Sequence, residues 1–413
     1  MSIVVMKFGG SSVADAEKLK SCARRAIQTR HEGHQVVMVV SAMGDSTDDL
    51  ISLAEQVSPS PPKRELDQLL VTGEQVTISL MAMALEAMGQ PAISFTAGQI
   101  GMVTDDVHTK ARIKRIDAQK IHGELEAGKV VIIAGFQGVT EDGAMTTLGR
   151  GGSNVTLVAI AACLSADVCE NYTDVDGIYT ADPRKVPNAR KIDTVSYDEM
   201  LELSSLGANV LHNRAVEFAK KYNVPIHVRS SFNQNKGTMI VAETPEMERI
   251  VVSGVALKEK LARISLRNVP DRPGVAARIF STIAQANIVV DDIIQTETPG
   301  GLASVSFTVD LAELPDARKV CDALCGELEG AKADYEENLA KVSVVGVGMR
   351  VHTGVAQKMF AALAAEGVNI RNITTSEIKI SCIIDRQQGK QALQVVHDAF
   401  LDGLKKPRAK KRA

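Results

Sequence analysis

The stretch "GRGGSNVTL" (149–157) combines a basic residue, three glycines and a polar pair ahead of an apolar run. A glycine-rich turn that opens a helix offers backbone N–H groups to an anion. Arg150 adds a planar guanidinium that binds a carboxylate through two parallel hydrogen bonds. These features are compatible with an anion site, but taken alone the stretch fits an ordinary surface turn with an incidental arginine somewhat better.

A second glycine-rich turn ends the first apolar run, "VVMKFGG", in which Lys7 precedes Gly9 and Gly10. The order differs from the GxxxxGK[ST] phosphate loop, where the lysine follows the glycines. Glycines still let the backbone approach phosphate oxygens closely, and Lys7 supplies a positive charge. The turn is consistent with a phosphate site and also with a plain strand–turn–helix connection.

Three further stretches place polar side chains in apolar surroundings. "SAMGDSTDDL" (41–50) follows the second apolar run, at the kind of strand end where ligands bind in parallel sheets. Glu74 stands in an apolar helical pattern, where a carboxylate is paired, functional or turned to solvent. "YTDVDGIYTADPR" (172–184) closes a strand-like run with Thr173 and Asp174 and is compatible with a nucleotide pocket.

Together these groups suit phosphoryl transfer to a small charged acceptor. A carboxylate acceptor is already ionised, so it needs no general base. The task of the protein is then to neutralise phosphate oxygens and to align the two reactants.

Short valine-rich runs alternate with helical patterns over the first part of the chain. Such runs suit parallel strands buried on both faces, and the alternation predicts an open α/β sheet with helices on both sides. The predicted strands are 3–8, 35–43, 129–136 and 166–175, and the clearest predicted helices are 67–89 and 153–166.

The last third of the chain contains an internal repeat. Residues 274–297 and 354–377 align without a gap, which pairs Gly274 with Gly354. Each copy follows a strand-like run, carries apolar residues at helical spacing and enters another strand. Such a unit needs a partner for its exposed sheet, so we expect a dimer or a larger assembly.

Composition excludes several classes of function. The 413-residue chain has a formal net charge of −3, no tryptophan and six cysteines. This charge favours neither nucleic acid nor an anionic membrane, and the cysteine spacing fits no metal motif. The N-terminus does not read as a signal peptide, and no run approaches the roughly 18 apolar residues of a membrane span. We expect a cytoplasmic protein with reduced thiols and a disordered basic tail at 405–413.

The motifs jointly resemble those of the aspartate kinases, members of the amino-acid kinase family that carry two C-terminal ACT domains. The resemblance covers nearly the whole chain apart from the tail. It rests on "KFGGSSV", "SAMGDSTDDL", "VTGEQV", "FTAGQIGMVT", "AGFQGV", "TTLGRGGS", "YTDVDGIYTADPR", "VRSSF", "VPDRPGVAA" and "TTSEIKIS". It implies an α/β catalytic domain over 1–245 with a mainly parallel sheet, followed by two βαββαβ ACT modules. A linker and the first module would occupy 246–337, and the second module 338–404.

The resemblance also implies an activity, the ATP-dependent phosphorylation of the β-carboxylate of L-aspartate, with Mg²⁺ bridging the phosphates. This reaction begins the synthesis of lysine, threonine and methionine. Lys7 and Asn154 would act in the transfer, Arg150 would bind a carboxylate of aspartate, and Glu74 would bind its amino group. The implied aspartate site comprises Thr47, Glu74, Arg150, Gly151, Gly152 and Ser153. The implied nucleotide site comprises Lys7, Phe8, Gly9, Gly10, Ser41, Thr173, Asp174, Tyr179, Arg184 and Asn209.

The ACT pair implies feedback control by lysine, threonine or both. The implied effector residues are Asp271, Gly274, Ala276, Asp291, Gln295, Asn369, Ile370, Ser376 and Glu377.

The chain departs from the family's pattern at two positions. Relatives normally carry aspartate where this chain has Asn154, and lysine where it has Asn209. Two opposite charges near the phosphates are therefore missing together. This leaves an alternative, a kinase-like regulatory or amino-acid-binding protein with weak turnover. A further alternative is an acyl-phosphate-forming enzyme that acts on glutamate or a similar acid.

Overall fold

The structure is a computed structural model that describes residues 2–207, 210–328 and 330–401. Asn209 and the tail at 405–413 lie outside the described residues. The chain divides into two compact units. The first unit comprises Met1–Tyr179 and Lys191–Met247, and the second comprises Thr180–Arg190 and Glu248–Ala413.

Strands of the first unit form two sheets. In chain order they are β1 (Ile3–Phe8), β2 (Gln35–Val40), β3 (Ala92–Phe95), β4 (Val103–Thr104), β5 (Ile113–Arg115), β6 (Val130–Ala134), β7 (Gln137–Val139), β8 (Met145–Thr147), β9 (Val168–Thr173), β10 (Thr194–Ser196), β11 (Ile226–Ser230) and β12 (Thr238–Val241). Eight strands form a sheet in the order β10-β12-β11-β9-β1-β2-β6-β3. Every neighbouring pair in it is parallel except β11 and β12. The other four form a smaller sheet in the order β5-β4-β7-β8.

Seven helices of the described chain belong to the first unit. They are α1 (Ala16–His31), α2 (Ser46–Val57), α3 (Lys63–Ala87), α4 (Gln119–Glu126), α5 (Gly152–Cys163), α6 (Tyr197–Ser205) and α7 (Asn213–Tyr222). By length and composition, α3 is the one described helix able to cross a membrane. Its buried face carries Glu74 and packs on β3 and β8, as the core helix of a folded domain does.

The open, mainly parallel sheet predicted from the sequence is confirmed. The predicted strand 35–43 ends at Val40, and the polar residues after it form the turn into α2. The predicted helix 67–89 begins earlier, at Lys63, directly after the proline pair that ends the preceding loop.

The second unit contains one antiparallel sheet with helices packed on it. Its strands are β13 (Gly254–Pro270), β14 (Asp291–Thr298), β15 (Leu302–Asp310), β16 (Lys332–Val345), β17 (Asn372–Thr375) and β18 (Lys379–Asp385), and its helices are α8 (Val275–Gln285), α9 (Leu314–Glu327), α10 (Val355–Ala365) and α11 (Gly389–Leu401). The strand order is β14-β15-β13-β16-β18-β17. The long strands β13 and β16 pair along most of their length, so the two repeat copies share a single sheet.

Two hydrophobic cores lie under this sheet, one for each copy of the repeat. The first is built around Ile279, Phe307 and Cys321, and the second around Met359 and Val396. The second core also takes in Val255 and Leu257, from the beginning of β13. Strand β13 therefore starts in the second module and ends in the first, so in sequence the first module lies inside the second.

Residues 180–190 pack in the second core although they follow the "YTDVDGIY" motif of the first unit. Ala181 and Val186 are buried there, and the Val255 N–H donates to the Thr180 carbonyl at 2.7 Å. The Thr180 hydroxyl is 2.9 Å from Nε2 of the fully buried His397. This segment is thus folded as part of the ACT unit.

Candidate active site

A cleft of about 370 Å³ lies in the first unit, at the carboxyl ends of β1 and β2. It brings together nine residues that the sequence predicted for the site. They are Lys7, Ser41, Thr47, Glu74, Arg150, Gly151, Gly152, Ser153 and Asn154. Sequence reasoning missed the remaining lining residues, which are Asp48, Ile51, Leu66, Leu70, Thr109, Phe136, Thr147 and Gly149.

Parallel strand pairing explains why Lys7 and Ser41 meet at one edge. Phe8 pairs with Val40 in the register of β1 and β2, so the turns that follow both strands lie side by side. The turn after β1 must be glycine, because a Cβ atom on Gly10 would lie 2.9 Å from the carbonyl oxygens of Ala42 and Gly44.

The arginine-bearing turn leads directly into α5. Gly151 has a φ of +71°, and a Cβ atom there would lie 2.4 Å from the Cβ of His212. Only glycine fits this position, and it directs the amino end of α5 toward the cleft. Arg150 is exposed at the rim and has no hydrogen-bond or ion-pair partner among the residues that the structure describes.

Lys7 is a buried cation, with 8% of its surface exposed. Burial lowers its pKa to about 8, and the Asp174 carboxylate opposes that shift only in part. No described carboxylate lies within ion-pair distance of its Nζ. A buried ammonium without a counter-ion is costly, so Lys7 is suited to receive an anion from outside the protein.

Glu74 is the corresponding buried acidic group, with 2% of its surface exposed. Its Oε1 accepts the Ala42 N–H at 3.0 Å, while its Oε2 has no partner among the described residues. Burial raises its pKa to about 8, and the hydrogen bond from Ala42 lowers it in part. The free oxygen is available to a cationic group of a ligand.

Asn154 lies in the first turn of α5 and is also buried, with 9% of its surface exposed. Its Oδ1 has no hydrogen-bond partner in the described part of the chain. Buried polar atoms are rarely left unpaired in folded proteins. Lys7, Glu74 and Asn154 therefore mark the cleft as a site whose polar groups are completed by a bound molecule.

The residues predicted to bind the nucleotide are less closely grouped. Phe8 is fully buried and stacks on Tyr172 with 4.8 Å between ring centroids, so its side chain belongs to the core. Thr173 and Asp174 end β9, beside β1, with the Asp174 carboxylate exposed. Tyr179 donates its hydroxyl to Asp176 at 2.5 Å, which lowers the pKa of that carboxyl.

Arg184 lies in the second unit, outside this group. Its guanidinium forms two 3.0 Å hydrogen bonds with the two oxygens of the Asp182 carboxylate, and its side chain is otherwise exposed.

A second cavity, of about 350 Å³, lies in the first ACT module. It contains four of the predicted effector residues, namely Asp271, Gly274, Ala276 and Gln295. The Gln295 amide lies 3.5 Å from the Asp271 carboxylate.

The other predicted effector residues lie outside this cavity. Asp291 pairs with the buried Lys341 at 2.7 Å. Glu377 is exposed and lies 3.5 Å from Nε of Arg350. Asn369, Ile370 and Ser376 belong to the second module.

A fully buried carboxylate beside the catalytic cleft was also missed. Asp67 lies two helical turns before Glu74 on α3, with none of its surface exposed. The sequence held a signal for it, because positions seven apart lie on one helix face and both interrupt the same apolar pattern. Its partner Thr109 has no comparable signal in the sequence.

Comparison with known proteins agrees with this architecture. The family model "Amino acid kinase family" matches residues 2–230, and two ACT domain models match residues 263–326 and 342–400. The aspartate kinase Ask_LysC of Stutzerimonas stutzeri is 48% identical over 401 residues, which cover 97% of each chain.

Solved structures show the same likeness at lower identity. E. coli aspartokinase III in complex with aspartate and ADP (R-state) is 26% identical with a TM-score of 0.82, and covers 96% of this chain and 99% of its own. The same enzyme in complex with lysine and aspartate (T-state) has a TM-score of 0.75 at 26% identity, covering 97% and 99%.

Proposed function

The chain belongs to the aspartokinases of the amino acid kinase family, and from this premise we propose that it phosphorylates the β-carboxylate of L-aspartate with ATP. Membership confirms the fold and the kinase activity predicted from the sequence. It does not favour the alternative of a regulatory protein with weak turnover. The observation that carries the proposal is a cleft that holds two buried ionisable groups, Lys7 and Glu74, neither of which has an ion-pair partner among the described residues.

We assign the two charges to the two substrates. Glu74 binds the ammonium group of aspartate through its free Oε2, and the exposed Arg150 binds a carboxylate through its guanidinium. Lys7 and the glycine turn after β1 bind phosphate oxygens, with Ser41 beside them. Ser153 and Asn154 present the first turn of α5 to the group in transfer.

The reaction in this arrangement is one displacement at phosphorus. A β-carboxylate oxygen of aspartate forms a bond to the γ-phosphorus, the bond from that phosphorus to the bridging oxygen breaks, and ADP leaves. The products are 4-phospho-L-aspartate and ADP. No proton is abstracted, so the residues contribute alignment and charge neutralisation.

ATP would reach the cleft from the side of Thr173, Asp174 and Tyr179. Magnesium would arrive with its phosphates, since the described residues contain no group of three or more metal-ligating side chains. Such an ion keeps water and phosphate ligands and takes one or two carboxylates. The exposed Asp174 is the carboxylate suited to that role.

The second unit is proposed to sense an end-product amino acid. The cavity with Asp271 and Gln295 is of a size that holds a small ligand, and E. coli aspartokinase III has been solved with lysine. The chain would assemble through its ACT sheet, whose edge strands β14 and β17 expose Ile293 and Ile373. We place the protein in the cytoplasm. The proposed catalytic domain spans 1–245 without residues 180–190, which fold with the ACT unit. The proposed ACT modules span 246–337 and 338–404, and the second also takes in the beginning of β13.

The direct test is purified full-length protein with MgATP and aspartate, in which hydroxylamine traps the acyl phosphate as a hydroxamate. We expect a hydroxamate with aspartate and little with glutamate. Folded protein that binds aspartate but yields no hydroxamate above the blank would refute the proposed activity. Equal yields with glutamate would refute the assignment of the acceptor.

A further inference from the structure

We propose that Asp67 is a positioning residue that fixes the acceptor half of the cleft and so sets the affinity for aspartate. Its carboxylate forms no hydrogen bond with Lys7, Thr173 or Asp174, the described residues that we assign to ATP. It acts through two residues that line the cleft, Thr109 and Thr147. The inference rests on the proposed function and extends it to a residue outside the cleft.

Four short contacts satisfy this buried carboxylate. Oδ1 accepts the Thr147 hydroxyl at 2.6 Å, and both oxygens accept the Thr109 N–H, at 3.2 and 3.0 Å. Oδ2 also lies 2.8 Å from Nδ1 of His108. One carboxylate thus ties α3 to the turn before β5 and to the end of β8.

The turn that it holds is strained. Thr109 has a φ of +69°, a conformation that β-branched residues rarely adopt and that persists only where surrounding contacts enforce it. The Asp67 carboxylate is a contact of that kind, because it accepts the backbone N–H of the strained residue itself.

The turn at Thr109 also packs against the turn that carries Arg150. The Thr109 carbonyl oxygen lies 2.9 Å from where a Cβ atom on Gly149 would stand. The Ala111 N–H donates to the Thr147 carbonyl at 3.0 Å, so the segment after the turn follows the end of β8. Arg150 comes directly after these residues. Displacing Thr109 therefore displaces the guanidinium that we assign to the aspartate carboxylate.

The nucleotide side of the cleft is built from other elements. Lys7 lies next to the end of β1, Thr173 ends β9, and Asp174 follows it; β1 and β9 pair with each other in the main sheet. None of them bonds to Asp67. The loss of the Asp67 carboxylate should therefore raise the KM for aspartate and leave the KM for MgATP unchanged.

The test is Asp67→Asn, which keeps the size of the side chain and replaces one oxygen by an NH2 group. That group cannot accept the Thr109 N–H. We expect the KM for aspartate to rise about 10- to 100-fold, with the KM for MgATP unchanged within about twofold. A purely structural role would lower the melting temperature and leave the ratio of the two KM values unchanged.

A matched pair of variants on β8 separates positioning from packing. Thr147→Val removes the hydroxyl that binds Asp67, whereas Thr147→Ser keeps it and should restore most of the affinity for aspartate that Thr147→Val loses. Thr146→Val is the control. Thr146 is equally buried but bonds to Thr104 at 2.7 Å and does not line the cleft. Its KM for aspartate should stay at the wild-type value even where its melting temperature falls.

His108→Ala serves if Asp67→Asn does not fold. His108 does not line the cleft, and its loss removes one of the contacts of Asp67. A rise in the KM for aspartate of about threefold or more, with MgATP unaffected, would support the proposal. An unchanged KM for aspartate in both variants, or an equal rise for both substrates, would overturn it.

The wild type keeps this test separate from that of the proposed function. Turnover of aspartate by the wild type establishes the function whatever the variants do. If the wild type binds aspartate without turnover, the ratio of dissociation constants between wild type and variant, measured by calorimetry, replaces the ratio of KM values.

Discussion

The catalytic cleft and the cavity of the first ACT module hold their polar groups in opposite ways. In the cleft, Lys7 on β1 and Glu74 on α3 are buried, and neither forms an ion pair within the part of the chain that the structure describes. In the ACT cavity, Asp271 and Gln295 are exposed, and the Gln295 amide forms only a weak hydrogen bond of 3.5 Å with the Asp271 carboxylate. An enzyme that acts on charged substrates needs polar groups whose positions are fixed before the substrates bind. A sensor instead needs groups that its ligand can rearrange.

This difference has an energetic side. Buried polar groups without partners lower the stability of the folded protein. A ligand that pairs with them removes this cost, and the gain adds to its binding free energy. Exposed groups impose no comparable penalty, so the ligand that we propose for the ACT cavity would itself order Asp271 and Gln295 on binding. Variants in the cleft should therefore change the reaction, and variants in the ACT cavity should change only its regulation.

The largest effect is expected from Lys7→Met, which keeps much of the length of the side chain and removes its charge. Turnover should fall about 10²- to 10³-fold, because a preorganised charge on the transferring phosphate is lost. Aspartate should still raise the melting temperature, since Glu74 and Arg150 remain. Gln295→Ala is the control from the other region and should leave turnover without effector unchanged. A loss of turnover in both variants would break the comparison.

Opposite pH trends for the two substrates are expected next. Glu74, with its pKa raised to about 8, gains its charge as the pH rises, so kcat/KM for aspartate should increase up to about pH 8. Lys7, with its pKa lowered to about 8, loses its charge above that value, so kcat/KM for MgATP should decline there. Each limb should approach about tenfold per pH unit.

Initial rates between pH 6 and 9.5, with each substrate varied in turn, measure both limbs. Glu74→Gln should abolish the rising limb for aspartate and leave the falling limb for MgATP. If the rising limb survives in this variant, Glu74 is not the group that titrates.

Strand pairing and glycine turns made most of the cleft predictable from the sequence. The turns after β1 and β2 meet because the strands are parallel, and Arg150 reaches the cleft because Gly151 permits the turn before α5. Asp67 and Thr109 were missed because their contact joins α3 to a loop about forty positions later, and no local pattern records such a contact.

The ACT unit shows a second limit of sequence reasoning. The repeat revealed two similar modules, but it did not reveal that β13 begins in the second core, or that residues 180–190 pack there. Both features depend on which apolar surfaces pack together in the folded protein. Four of the nine effector residues that the resemblance implied line the cavity of the first ACT module, and a resemblance in sequence does not by itself fix which of these residues lie close together.

A moderate effect is expected from Asp271→Ala in the ACT cavity. The concentration of lysine or threonine needed to shift activity should rise about tenfold, because the variant removes a polar group that we propose to contact the effector. Turnover without effector should stay at the wild-type level. The measurement is inhibition by each amino acid at fixed substrate, with Asp316→Ala, at an exposed position in the first turn of α9 outside the cavity, as control. Wild-type sensitivity to both amino acids in Asp271→Ala would place the sensor elsewhere.

The smallest effect is expected from Asn154→Asp, which tests whether the cleft uses fewer fixed charges than its relatives. The amide oxygen of Asn154 is buried without a partner among the residues described. A carboxylate there would share the cleft with Lys7 and favour its protonated form, so the falling limb for MgATP should move to higher pH by about one unit or less. The same charge also repels the phosphates of ATP, so turnover at neutral pH should change only about two- to fivefold.

The resemblance pairs that charge with a lysine at the position of Asn209, which lies outside the described residues, and we predict that the two positions act as one electrostatic unit. Asn154→Asp alone adds an anion that repels the phosphates. Asn209→Lys alone adds a cation without the carboxylate that accompanies it in the family's pattern. Together they should raise turnover by more than the product of the single effects, with a coupling of about 0.5–3 kcal/mol. A double-mutant cycle on kcat at saturating aspartate and MgATP measures it. If the two effects simply multiply, or the wild type is already as fast as the double variant, then Lys7 and magnesium carry the phosphate charge without this pair.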